Sequence, residues 1–268
     1  MKSIKHYLNR YREKLNHQIW DSRLTQIAKT SSQALEALRN SHRGQRAFLI
    51  GNGPSINEQN LNLLKHECTF ACNSFFLKGE EIGLTPTYYV VEDKFVAEDN
   101  SEKINSLKGS TKLIPNDLSY CLSSNDQINV NFLRYYLKSS NPQFPLFWNA
   151  QNPDTFYWGG TVMYLCIQLA VYMGFDPLYL IGIDLSYKIP TNIQQEGDKL
   201  TSLEDDSNHF HPDYFGKGKR WHLPETDRMQ HCFEKAFKEC SAAGVSLFNS
   251  THGGNLAVIP RAEYTALF

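Results

Sequence analysis

The chain has 268 residues, 41% of them hydrophobic and 21% charged, with a formal net charge of -1. That length buries the core of one large domain, and the charge offers no general attraction to nucleic acid. The longest apolar stretch, Val162 to Met173, is too short to span a bilayer, and the N-terminal residues lack the apolar centre of a secretory signal, so a cytoplasmic protein is expected.

Residues 1–46 carry ten Lys and Arg against Glu13, Asp21 and Glu36, a local charge of about +7. Leu8, Tyr11, Leu15 and Ile19, then Leu24, Ile27, Leu35 and Leu38, recur at helical spacing. The pattern predicts a helical arm over 1–44 ahead of a Rossmann-like domain over 45–268. Such an arm serves packing or a homo-oligomer contact, or rests a basic face on an anionic membrane.

The domain opens with the apolar run Arg46 to Ile50, a predicted strand, followed by the turn Gly51-Asn52-Gly53-Pro54-Ser55 and a helix-like segment from Ser55 to Leu64. Further strands are predicted at Thr69 to Cys72, Thr87 to Val91, Lys112 to Pro115 and Pro145 to Trp148. From Gly160 to Met173 nearly every position is apolar, as in a helix buried against a sheet, and Gly174 ends it. Pro177 to Ile183 then reads as a central strand closing at Asp184. The polar, acidic stretch from Lys188 to Asn208 reads as a mobile loop, the histidine-rich run from His209 to His222 as a lid, Glu225 to Ala243 as a helix and Val245 to Phe248 as a last strand. The fold class is α/β, a mostly parallel sheet flanked by helices. Six cysteines without a C-x-x-C pair fit reduced thiols and argue against a zinc ribbon.

Gly51 and Gly53 would let a phosphate approach main-chain N–H groups where strand passes into helix, and Ser55 with Glu58 has the spacing of a capping box. Asn73 closes the second strand and Glu92-Asp93 the third, on the predicted edge where ligands bind open α/β sheets. Asp184 at the next strand end either caps its turn or joins the site.

Phe48-Leu-Ile-Gly-Asn-Gly-Pro-Ser55, Cys72-Asn73, Gly160-Thr161 and Tyr179-Leu-Ile-Gly-Ile-Asp184 resemble, in order, motifs of the bacterial sialyltransferases of glycosyltransferase family forty-two. Pro86-Thr-Tyr-Tyr-Val-Val-Glu-Asp93, Asn208-His-Phe-His-Pro-Asp-Tyr-Phe-Gly216 and Asn249-Ser-Thr-His-Gly-Gly254 resemble more closely the 6-hydroxymethylpterin diphosphokinase MptE-like family, many members of which sit among surface-polysaccharide enzymes. The sialyltransferase resemblance implies that Gly51, Asn52, Gly53 and Asn73 hold a CMP-linked sugar donor, with Gly160 and Thr161 near it. It also implies a histidine general base, for which His209 and His211 both qualify and His209 fits the motif better. Val162 stands where those enzymes have a serine, and Glu92-Asp93 where they have an asparagine.

Tyr187 or Tyr214 would donate a hydrogen bond to the leaving group, and Lys217, Lys219 and Arg220 would offset its charge. On this reading no metal or further cofactor is required, and the partners are the donor and a glycan or lipid-linked acceptor. The MptE-like resemblance implies instead a pyrophosphokinase with magnesium on Glu92, Asp93 and Asp184. A third expectation is a non-catalytic nucleotide-binding module of glycan assembly.

Overall fold

The computed structural model describes residues 31–134, 145–188, 192–196, 199–222 and 224–268. Residues 1–30, most of the predicted arm, lie outside the described residues. Its remainder begins as helix over 31–38 (α1) and packs on the domain: Leu35 joins the main core, its carbonyl accepts from Tyr172 Oη at 2.9 Å, and Ser31 Oγ accepts from the Asn129 amide at 2.9 Å.

Strands β1 (Ala47–Ile50), β2 (Thr69–Cys72), β3 (Tyr88–Val90), β4 (Thr111–Pro115), β5 (Gln127–Leu133), β6 (Thr155–Tyr157) and β7 (Leu178–Ile181) are followed by a separate group, β8 (Ile193–Glu196), β9 (Lys199–Ser202) and β10 (Arg220–Trp221), and then by β11 (Leu247–Asn249); helix α2 (Phe76–Ile82) joins β2 to β3, and α3 (Lys94–Asp99) and α4 (Ser101–Ser106) join β3 to β4. Among the described residues β11-β7-β1-β2-β3-β4-β5-β6 form one parallel sheet, and β10-β9-β8 a small antiparallel one. The chain steps outward from β1 through β6 and then returns to the far side of β1 as β7. The carboxyl ends of β1 and β7 therefore flank the topological switch point, where such sheets open a crevice.

Alternation along β1 divides the interior. Ala47 and Leu49 face the cluster beneath α5 (Val162–Met173), whereas Phe48 and Ile50 face Ile56, Leu61, Leu64 and Phe75 on the opposite side. Helix α5 is buried at all 12 positions because the sheet covers one side and α6 (Thr226–Ala242) another. Its ends are well marked: Thr161 Oγ1 accepts from the Met163 amide, and Gly174 closes it at φ 84°. Met229, Cys232, Phe233, Ala236 and Cys240 give α6 an apolar stripe three to four residues apart.

Three elements differ from expectation. The segment after the glycine turn forms two 3-10 pieces, Pro54–Glu58 and Leu61–His66, and Gly53 occupies the N-cap position with no side-chain cap. Ser55 is therefore not a capping-box residue; its hydroxyl turns to Asp184. Pro145 to Trp148 is irregular chain, fixed by the Trp148 amide on Gln168 Oε1 at 3.0 Å and Trp148 Nε1 on the Pro153 carbonyl at 2.9 Å. The sheet continues instead through β5 and β6. Finally, the described part of the expected loop between Lys188 and Asn208 contains the hairpin β8–β9. Residues 189–191 and 197–198 of that stretch lie outside the described residues.

Candidate active site

Because the sheet is parallel, the turns after β1, β2, β3, β4 and β7 emerge on one edge. With the start of α5 and the segment 205–229 they enclose a cavity of about 1090 Å³. Gly51, Asn52, Gly53, Asn73, Glu92, Asp93, Gly160, Thr161, Asp184, Tyr187, His209 and Tyr214 all line it, while Pro54, Ser55 and His211 do not.

The glycine turn has a structural task that the sequence does not disclose. A side chain at Gly51 would place Cβ 2.5 Å from the Gly182 carbonyl oxygen, and one at Gly53 would fall 2.9 Å from the same atom. The Gly51 amide donates to Ile181 O at 2.7 Å and the Gly53 amide to Gly182 O at 2.9 Å. Ser55 donates its amide to Asp184 Oδ1 at 3.2 Å and its hydroxyl to Oδ2 at 2.7 Å. The turns after β1 and β7 thus interlock, and the main-chain donors expected for a phosphate at 51, 53 and 55 are already occupied. Asp184 accordingly ties the two turns together; burial raises its carboxyl pKa, against the two donations from Ser55.

Three of the residues that line the cavity carry an unsatisfied buried oxygen instead. Asn52 Oδ1, Asn73 Oδ1 and Glu92 Oε2, at the ends of β1, β2 and β3, are buried without a hydrogen-bond partner among the described residues. Buried polar groups are seldom left so, and a bound molecule would supply the missing donors. Asn73 is held at φ 52°, and its carbonyl accepts from Tyr89 Oη. Burial pushes the Glu92 carboxyl up to about 8; Arg134 opposes this, while Asp93 and Asp117 add to it. Glu92 is therefore neutral at pH 7. Asp93 caps α3 (Lys94–Asp99) through the Val96 amide at 2.9 Å and meets His222 Nδ1 at 3.2 Å. Burial pushes Asp93 up, but the bonds from His222 and the backbone outweigh it and leave the carboxyl below its ordinary value.

On the histidine segment, Nδ1 of His209 donates to Asp206 Oδ2 at 2.7 Å. That bond fixes the tautomer and leaves Nε2 as the basic nitrogen. Tyr214 lies flat on the imidazole, with centroids 3.9 Å apart and planes 4° from parallel, and Phe215 and Tyr187 meet it edge-on. Asp206 also accepts from the amides of Asn208 at 2.7 Å and Phe215 at 3.0 Å. Burial raises Asp206, yet the bond from His209 and these amides overcome it, so it stays ionised. Tyr187 is pushed up to about 12 by burial and by the charges of Asp206 and Asp184, and burial likewise raises Tyr214; both remain hydrogen-bond donors. His211 points elsewhere, its Nδ1 accepting from the Asp213 amide at 3.1 Å.

The cations expected at the site are placed differently. Lys219 Nζ donates to Asn100 Oδ1 at 2.9 Å, Arg220 Nε to Asp99 Oδ1 at 2.9 Å, and Lys217 is exposed, so these residues fasten β10 to α3 or face solvent. Arg134 and Arg228 line the cavity instead, Arg228 pairing with Glu225 Oε1 at 2.7 Å and lying 5.3 Å from the Trp158 ring centre. Of the residues missed, Asp206 had a local signal in its i, i+3 spacing to His209; Arg134, remote in sequence from the other lining residues, had none, and Arg228 lies on a helix whose place beside the cavity no local pattern gives.

A parallel α/β sheet with a cavity at its switch point defines the Rossmann-like class of fold. Residues 21–190 match the family described as 6-hydroxymethylpterin diphosphokinase MptE-like, and the chain belongs to that family. A search of curated proteins gives no match. Among solved structures, the fold is similar to that of the MAf glycosyltransferase from Magnetospirillum magneticum AMB-1, with a TM-score of 0.52 and 14% identity over 90% of this chain. The chain spans 39% of that protein's length.

Proposed function

We propose that the cavity transfers a sialic-acid-like or related keto sugar from a CMP-linked donor to a hydroxyl of a surface-glycan or lipid-linked acceptor. The observation that carries the reading is the Asp206–His209 pair, a fixed-tautomer base on the wall of the cavity that also receives the start of α5. His209 Nε2 removes the acceptor proton as the acceptor oxygen bonds to the anomeric carbon and the bond from that carbon to the phosphate oxygen breaks. The departing phosphate is met by the Val162 amide at the start of α5, by Arg228 and by the hydroxyls of Tyr187 and Tyr214. Asn52, Asn73 and neutral Glu92 supply polar contacts for the base or sugar. No metal or further cofactor enters this scheme. The solved neighbour's name, a glycosyltransferase, is in keeping with it. Cytoplasmic location, a peripheral membrane contact through the basic N-terminal arm, 1–44, and a homo-oligomer belong to the same proposal; among the described residues no helix is long and apolar enough to cross a membrane.

The family description favours a second reading, diphosphate transfer from ATP. Its magnesium would need Glu92, Asp93 and Asp184 together. Asp93 is engaged by α3 and His222, and Asp184 by Ser55; among the described residues no three His, Cys, Asp or Glu side chains come together to hold a metal. A thermal-shift comparison separates the two. CMP in hundredfold excess over its dissociation constant should stabilise the protein by about 2.7 kcal/mol. Stabilisation by ATP with magnesium and none by CMP would replace transfer of sugar by transfer of diphosphate, and stabilisation without turnover of any donor would leave a binding module.

A further inference from the structure

A second hollow, of about 360 Å³, lies beyond the carboxyl end of β11, between the turn at Ser250–Gly253, the segment Glu58–Asn60 and residues 261–265. Its volume falls within the roughly 300–1,000 Å³ of small-molecule sites. Two of its lining residues bury polar atoms that make no hydrogen bond among the described residues: Oγ of Ser250, a residue only 3% exposed, and Oε1 of Gln59. Gln59 is held in place by its own Nε2, which donates to the Ser250 carbonyl at 2.9 Å. Each such atom costs about 1–3 kcal/mol unless an occupant satisfies it.

The remaining wall says what kind of occupant. Arg261 gives Nη1 to the Thr251 carbonyl at 2.6 Å and Nη2 to the carbonyls of Gly253 and Gly254. Its guanidinium thus props the turn and is not offered to an anion. Glu58 and Glu263 outnumber Arg261 on the wall, a slight acidic excess that disfavours an anion. An acceptor at Gln59 and a hydroxyl at Ser250, both fixed and unsatisfied, ask for groups that donate and accept at once, and alcohol hydroxyls are such groups.

We propose that this hollow is a second binding site, for one saccharide unit or a similar neutral polyhydroxyl compound, anchored by Ser250 and Gln59. It abuts the main cavity through a shared turn: Thr251 Oγ1 accepts from the Ile183 amide at 3.0 Å, and a Cβ on Gly254 would lie 3.0 Å from Asp184 Cα. The proposal concerns binding and stands whether or not the main cavity transfers sugar.

The test is a titration of the full, ¹⁵N-labelled chain with lactose, with N-acetylglucosamine and with inorganic phosphate, and separately with CMP. At least one of the two sugars should shift the amides of Gln59, Ser250 and Gly253 at millimolar concentrations. Ser250→Ala and Gln59→Leu should each weaken that binding by about tenfold, the loss of one hydrogen bond. Ser250→Ala leaves no severed partner behind, so its melting temperature should match or exceed that of the wild type. The CMP response should be the same in all three proteins. No shift at the hollow with either sugar, a response to phosphate alone, or shifts confined to the surroundings of Asn52 and His209 would each overturn the proposal.

Discussion

Two side chains at the site separate binding from chemistry. If His209 is the base, His209→Ala should lower turnover by roughly a hundredfold or more with nearly unchanged CMP affinity. Asp206→Asn should also lower turnover, since an amide oxygen holds the tautomer less firmly than a carboxylate, while His211→Ala should leave it close to wild type. Rates and CMP titrations on the three variants check this, and a large loss only at His211 would move the base along the chain. Glu92 offers a measurement independent of any substrate. Its folded pKa of about 8 lies above its ordinary 4.5, so as pH rises between these values the unfolded chain gives up the proton first and the native state loses stability. Glu92→Gln removes that penalty. The variant should gain little at pH 4 and on the order of 4 kcal/mol above pH 8, read from urea unfolding across that range. A constant difference would mean that Glu92 is ionised in the folded protein. His209 was legible from its motif, and Asp206 had its i, i+3 spacing to His209 to announce it, although the bend that folds 206–215 back on itself completes its bonds; the neutral state of Glu92 comes from burial at a strand end, which no local pattern encodes.

At the scale of elements, apolar runs announced β1, β2, β3, β4, β7 and α5, because strands buried on two faces and a helix buried all round leave little room for polar residues. β5 was hidden by Gln127, Asn129 and Asn131, residues depleted in strands. In the sheet their amide groups donate to one another and to neighbours: Gln127 Nε2 to Asn129 Oδ1 at 2.8 Å and Asn131 Nδ2 to Thr155 Oγ1 at 3.0 Å. The glycine turn was legible as a turn, yet its partner, the turn after β7, is more than a hundred residues away. The interlock makes a distinct prediction. Gly51→Ala sets Cβ against the Gly182 carbonyl and should destabilise the protein by about 1–3 kcal/mol or more without any ligand present. Gly53→Ala sets Cβ against the Asp184 carboxylate that Ser55 holds and 2.9 Å from the same carbonyl oxygen, so it too should lower stability. Equal unfolding midpoints for Gly51→Ala and wild type would refute the interlock.

For the whole molecule, the parallel sheet and the antiparallel β8–β10 group differ in what keeps them closed. Strands β1, β2 and β7 are sealed between α5 and the 3-10 segments. The small sheet is held to α3 chiefly by polar clasps: Arg220 Nη2 on Glu98 Oε2 at 2.9 Å, Arg220 Nε on Asp99 Oδ1 at 2.9 Å, Lys219 Nζ on Asn100 Oδ1 at 2.9 Å, and Arg220 4.8 Å from the Phe95 ring centre. Ion pairs near the surface weaken as salt is added, whereas apolar seals do not. Amide deuterium uptake should therefore divide the chain into two clocks. Amides of β9 and β10 should exchange through local opening, faster at high ionic strength and faster still in Arg220→Ala, while those of β1 and β7 should wait for global unfolding and keep their pace in salt. The elements that bring Trp221 and His222 to the cavity would then set its access by ionic strength, a dependence that belongs to the molecule's surroundings as much as to its sequence.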